Sequence, residues 1–214
     1  QTVPMNISLD GSNVFQTGDT VAEYSITPDG AVGLSGYDAG WQQYQDLQNA
    51  VSSAVDSQLT QQYSNLLAQT FNGRKKQALD AYQIFAGATA PALPSGVTFP
   101  GTYLGARLHM IAKAIQGRAA VGATRQTFFI QWGGWDHHSD VLENQAAMLP
   151  QVSAAVGAFY NALVALGIQN QGGDTAFLNR YALRTHGAWQ SADAMRFALE
   201  HQNPLVATRA TGGA

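Results

Sequence analysis

The sequence predicts an α/β fold with a mostly parallel central sheet flanked by helices. Thr127, Phe128, Phe129, Ile130 and Trp132 form a run of β-branched and aromatic residues with the character of a buried strand. Apolar stripes of helical period stand on both sides of it: Leu104, Leu108, Ile111 and Ile115 before, then Val152, Val156, Phe159, Leu163 and Leu166 after. Helix, strand, helix is half of a crossover unit, and crossovers join parallel strands. The length of 214 residues suffices for one sizeable domain that buries roughly 70% of the surface of its unfolded chain.

Residues 1–37 read as an extended segment with hairpins. Asp10-Gly11 and Pro28-Asp29-Gly30 are turn signals between short apolar runs, predicting one or two short strands or hairpins. Residues 38–90 read as a helical layer. Leu47, Val51, Val55 and Leu59 recur every four residues, and Leu66 continues their face. Asn72-Gly73 predicts a break, after which a second helix from about Arg74 presents Leu79, Tyr82 and Phe85. Trp41 and Tyr44 open the first helix as packing residues. Pro91, Pro94, Gly96, Pro100 and Gly101 mark a loop.

Residues 103–168 hold the helix–strand–helix unit. Arg107, Lys113 and Arg118 lie off its first apolar stripe, and His109 reads as structural. The second helix is expected from Gln145 to Leu166, with Pro150 in its first turn, where a missing N–H costs little, and Gly167 ending it. The tail, 169–214, is poorly patterned. Asp174–Leu178 and Leu205–Thr208 are candidate strands, and Ser191–His201 is a candidate helix. The whole reads as a single α/β domain or a fragment of one. It starts at Gln1 without a Met, as a processed or internal piece would.

Charged residues make up 12% of the chain, about half the usual ~25%. With a net charge of −3 and no basic stripe, nucleic-acid binding is not expected. Cysteine is absent, which removes disulfides, thiol chemistry and Cys-type zinc sites. No apolar run reaches the ~20 residues of a membrane span, and no stretch reads as a secretory leader. GxSxG, GxGxxG, Walker-type and HExxH motifs are all missing.

The chemistry concentrates where the strand run stops. Gly133-Gly134 lets the backbone turn, and Asp136, His137 and His138 follow at once. Ligands of α/β proteins bind beyond the carboxyl ends of strands, so a carboxylate and two imidazoles there are candidates. In an extended loop residues i and i+2 point the same way, which lets Asp136 and His138 hold one ion while His137 faces away as a weaker candidate. Oxygen and imidazole donors suit a divalent ion such as zinc or manganese. The plain alternative is a polar loop whose imidazoles are solvated. Asp140 and Glu143 either orient a ligating imidazole or serve the start of the next helix. His186 and His201, with Asp174 or Asp193, would complete a site by returning to this loop; otherwise they are surface residues. Trp132 and Trp135 flank the glycines as pocket walls or as packing.

Three stretches carry a family resemblance: PMNISLDGSNVFQTG, VGLSGY at 32–37, and FFIQWGGWDHHSDVLENQ with AFYNALVALG after it. Together they resemble the central part of a large bacterial family that carries a domain of unknown function. That family is grouped with the alkaline phosphatase and sulfatase superfamily, and its members are typically exported through the twin-arginine pathway. Its strand motif ends Gly-Gly-Phe-Asp-Thr-His; here it is Gly133, Gly134, Trp135, Asp136, His137, His138, with His137 in place of the Thr. The family's earlier Gly-Gly-Asn-Asp-Gly segment has no counterpart. Its later Ser-Asp/Glu-Phe-Gly-Arg and Asp-His-Gly-Trp motifs are matched only loosely by 174–190, where Arg180 or Arg184, His186 and Trp189 stand nearest.

The resemblance implies an alkaline-phosphatase-like sheet and a periplasmic or secreted protein. It also implies metal-dependent hydrolysis of a small phosphate or sulfate ester, with Asp136 and His138 as ligands and His186 as their partner. The alternative is a non-catalytic exported surface or assembly protein that keeps the fold. Low charge and Gln/Ser-rich helix faces would then serve packing against neighbours, including further copies of the chain.

Overall fold

A computed structural model describes residues 3–18, 23–37, 42–135 and 137–169. The apolar run around Ile7 forms strand β1 (Asn6–Ser8), followed by β2 (Tyr24–Thr27) and β3 (Gly30–Ala31). β2 and β3 are the antiparallel hairpin expected at Pro28-Asp29-Gly30, with Ile26 opposite Ala31. Thr27 Oγ1 closes the turn, accepting from the Asp29 N–H and donating to the Gly30 carbonyl. Asp10-Gly11 makes no hairpin: β1 and β2 are parallel, Ile7 beside Tyr24. The chain leaves β1 through a loop tied to itself. Asn13 Oδ1 accepts from the Phe15 and Gln16 N–H groups, and Thr17 Oγ1 donates to the Asn13 carbonyl at 2.7 Å.

After a 3₁₀ turn at Gln42–Tyr44 come α1 (Gln45–Thr60) and α2 (Leu66–Thr89). The break between them lies at 61–65, not at Asn72-Gly73, which are interior to α2. Asn65 makes the helix start, its side chain accepting from the Leu67 and Ala68 N–H groups. Asn72, which looked like a turn residue, instead donates across to the Gln58 and Leu59 carbonyls, the free end of α1. The expected stripe of α1 is thinly buried. Leu47, Tyr44 and, on α2, Leu66 are exposed, while Gln48 is buried. The second half of α2 buries Leu79 and Phe85 as expected, leaves Tyr82 half-buried, and buries Ala81 and Ala88 as well.

Helix α3 (Tyr103–Gln116) is capped by Thr102, whose Oγ1 accepts from the Gly105 N–H, and buries Leu108, Ile111 and Ile115 as the spacing predicts. At its end Gly117 meets the end of α2, where any side chain would run into the Ala88 carbonyl. Strand β4 (Thr127–Phe129) pairs parallel with β1, Ile7 beside Phe128. The sheet order is β3-β2-β1-β4. The α/β class therefore holds, with a small mixed sheet in which β2, β1 and β4 run parallel and β3 is the antiparallel edge.

Helix α4 (Val141–Ala165) begins at Val141 rather than Gln145, so Pro150 is interior and not in the first turn. Gln151 Nε2 donates to the Ala147 carbonyl beside the proline, where backbone bonding is weakened. Phe85, Ile111, Phe128, Phe159, Leu163 and Ile7 join in one core beneath the sheet. α4 is long and apolar enough to cross a membrane by length and composition, beyond what the sequence runs suggested. It also supplies Val152, Ala155, Phe159, Ala162 and Leu163 to the buried interior, as the core helix of a folded domain does. The elements expected in 174–208 lie outside the described residues.

Candidate functional site

Because β1 and β4 are parallel neighbours, their carboxyl ends open on the same edge of the sheet, about 4.8 Å apart. Beyond β1 stands Asp10; beyond β4 runs the loop 130–140. Asp10 is bound to α3. Arg107 donates to it through Nε at 3.0 and 3.1 Å and through a terminal nitrogen at 2.8 Å, a near-buried bidentate pair. The guanidinium carbon also lies 3.3 Å over the Tyr103 ring. The Tyr103 hydroxyl has two acceptors in reach, Asp10 Oδ1 and the Gln131 carbonyl. Burial, then the hydrogen bond to Asp10 and its charge, push this phenol up to about 12, so it keeps its proton and donates.

The same group ends the strand. β4 stops at Phe129 instead of running to Trp132, because the Gln131 N–H is given to Asp10 Oδ2 at 2.8 Å and the Gln131 carbonyl is reached by Tyr103. Side chains thus replace the strand ladder just where the loop begins. Gly134 then adopts φ +86°, which L side chains rarely take, and brings the turn over Met148 of α4. Trp132 and Trp135, both half-buried, pack edge to face with centroids 5.2 Å apart rather than entering the core.

Of the donors expected in this loop, the structure describes His137 and His138. His138 is exposed, whereas His137 is half-buried with its Nε2 shielded and without a hydrogen-bond partner among the described residues. The Trp135 indole N–H is in the same condition. A shielded imidazole nitrogen with no partner among the described residues costs free energy that a hydrogen bond or a bound cation would relieve. Asp136 and His186 lie outside the described residues, as do Asp174, Asp193 and His201. Among the described residues no three His, Cys, Asp or Glu side chains gather closely enough to hold an ion together. His109, on the exposed side of α3, has its ring 5.2 Å from that of Phe99, and partial burial followed by the Lys113 charge lowers its pKa. Asp140 does not cap α4 with its side chain and has φ +51°.

Sequence reading missed the Asp10–Arg107–Tyr103 group. Tyr103 and Arg107 are four apart on α3 and therefore share a face, which was the one available signal. Compared with family models, curated proteins and solved structures, the chain matches none of them.

Proposed function

We propose that this chain belongs to an exported, metal-dependent hydrolase of small phosphate or sulfate esters, built on an alkaline-phosphatase-like scaffold. The loop 133–138 is its metal-binding loop. The observation that supports the reading is the shielded His137 Nε2, without a hydrogen-bond partner among the described residues, in a loop that leaves the carboxyl end of a parallel strand. His137, His138 and Asp136 would hold a zinc or manganese ion, with His186 as a further ligand. Such an ion polarises an ester oxygen and lowers the pKa of a water or hydroxyl nucleophile. The chain's own part is to hold the donors and to wall the loop with Trp132 and Trp135.

Isothermal titration of the purified chain with zinc and manganese is the test, paired with hydrolysis of p-nitrophenyl phosphate and p-nitrophenyl sulfate. Binding that falls at least tenfold in both Asp136→Ala and His137→Ala, with hydrolysis lost, is the expected result. A chain that binds neither ion and hydrolyses neither ester would overturn the reading. A second reading, a non-catalytic exported surface or assembly protein, has its own support. Leu66, Leu67 and Phe71 stand exposed on the first turns of α2, a face suited to contact with another chain, including a second copy. Concentration-dependent self-association that disappears in Phe71→Ser would favour it.

A further inference from the structure

We propose that Asp10, Tyr103 and Arg107 form a positioning clamp that sets the direction in which the loop 131–140 leaves the sheet, and through it the metal affinity of His137 and His138. The metal half rests on the function proposed above; the clamp itself does not.

Asp10 stands at the end of β1, where a strand-end carboxylate would serve as a metal ligand. Its oxygens are already committed. Oδ1 takes Arg107 and Tyr103, and Oδ2 takes Arg107 and the Gln131 N–H. A carboxylate neutralised by a bidentate guanidinium is a poor ligand and a good anchor. What it anchors is the Gln131 peptide, whose N–H is held by Asp10 and whose carbonyl shares the single Tyr103 O–H with Asp10 Oδ1. Both polar groups of one residue are thus tied to side chains from β1 and α3, two residues before Gly133-Gly134. Beyond that point, the described loop has the local bond from the His137 N–H to the Trp135 carbonyl at 3.2 Å and, at its far end, bonds from the Asn144 N–H to the Asp140 carbonyl and from Asn144 Nδ2 to the Ser139 carbonyl. The clamp therefore fixes the strand end of the loop, as α4 fixes the other. Partners that orient metal ligands typically change affinity 10–100-fold when removed.

The test uses Asp10→Asn and the milder Tyr103→Phe in the full 214-residue chain, with two measurements on each. Hydrogen exchange read by mass spectrometry should quicken about tenfold over residues 131–138, while peptides from the core of α3 and α4 keep their rates. Zinc affinity by titration calorimetry should fall at least tenfold. Loop exchange unchanged in Tyr103→Phe, or exchange raised equally throughout the protein, would overturn the clamp. Faster loop exchange in a protein whose wild type binds no zinc would uphold the clamp and overturn the metal reading. Tyr103→Phe removes a single hydroxyl from a residue 42% exposed, so the test survives if Asp10→Asn fails to fold.

Discussion

The two loops that leave the carboxyl ends of β1 and β4 are neighbours built on opposite plans. The described part of the β1 loop, residues 9–18, is tied down by internal hydrogen bonds. Gln16, 5% exposed, donates to the Ile7 carbonyl and to Thr127 Oγ1 and accepts from Asn13 Nδ2, while Thr127 Oγ1 donates to Asn6. The β4 loop is anchored at Gln131 and then carries two shielded polar atoms, on Trp135 and His137, with no partner among the described residues. A loop whose polar groups are satisfied internally is a structural fitting. A loop that shields polar groups without satisfying them stores a cost that a ligand can release, and this difference favours the proposed site beyond β4 over one beyond β1.

Substitutions can break that contrast. The largest effect is expected at the shared anchor. Asp10→Ala leaves the Arg107 charge near-buried and unpaired, which should cost about 3 kcal/mol in urea unfolding. Next comes the satisfied loop, where Gln16→Ala strips partners from the Ile7 carbonyl, Thr127 and Asn13 and should cost about 2 kcal/mol by the same assay. In the β4 loop, Gly134→Ala meets no clash, the nearest atom to the new methyl being Met148 Cε at 3.8 Å. The strain of positive φ alone should cost about 1 kcal/mol, read as a fall in Tm.

His137→Phe sharpens the comparison in sign. Removing an unsatisfied polar atom should leave metal-free stability within about 0.5 kcal/mol of wild type, or raise it. The rise in Tm on adding zinc should vanish. A large loss of metal-free stability would show that the imidazole is a satisfied structural group.

The smallest effect is in pH. The Tyr103 phenol is raised from 10.0 to about 12, burial first and Asp10 second. A raised folded pKa contributes stability that is complete below pH 10 and fades as pH climbs through 12. Tyr24, raised by burial and by Tyr82 to about 12, follows the same course. Absorbance at 295 nm should show late ionisation from Tyr103 and Tyr24, and the Tyr103 share should be lost in Tyr103→Phe.

What could be read from the sequence depended on how local the cause was. Leu108, Ile111 and Ile115 were legible because helical period alone puts them on one face, and the β2–β3 turn because Pro28-Asp29-Gly30 encodes it within three residues. Asn72 misled because its amide acts on carbonyls 13 and 14 residues away, in another helix. Pro150 misled because tertiary packing on α3 and the sheet carries α4 through it. Gly133-Gly134 was legible as a turn, which Gly134 makes at φ +86°. The different exposure of His137 and His138 was not, since shielding is set by neighbours. The Asp10–Arg107 pair spans 97 residues and leaves no pattern in either segment.

The position of β1 has a consequence for how the chain assembles. Its partner β2 follows within a short stretch, but its other partner, β4, is 121 residues downstream. Synthesis at about 5–20 residues per second delivers that partner roughly 6 to 24 s later. For this interval β1 offers an open strand edge with Ile7 and Leu9 beside it, and the helices between must form before the edge can close. Newly made chains are thus most vulnerable to mispairing before the residues around 127 emerge, and a factor that holds the chain extended in that window would protect it.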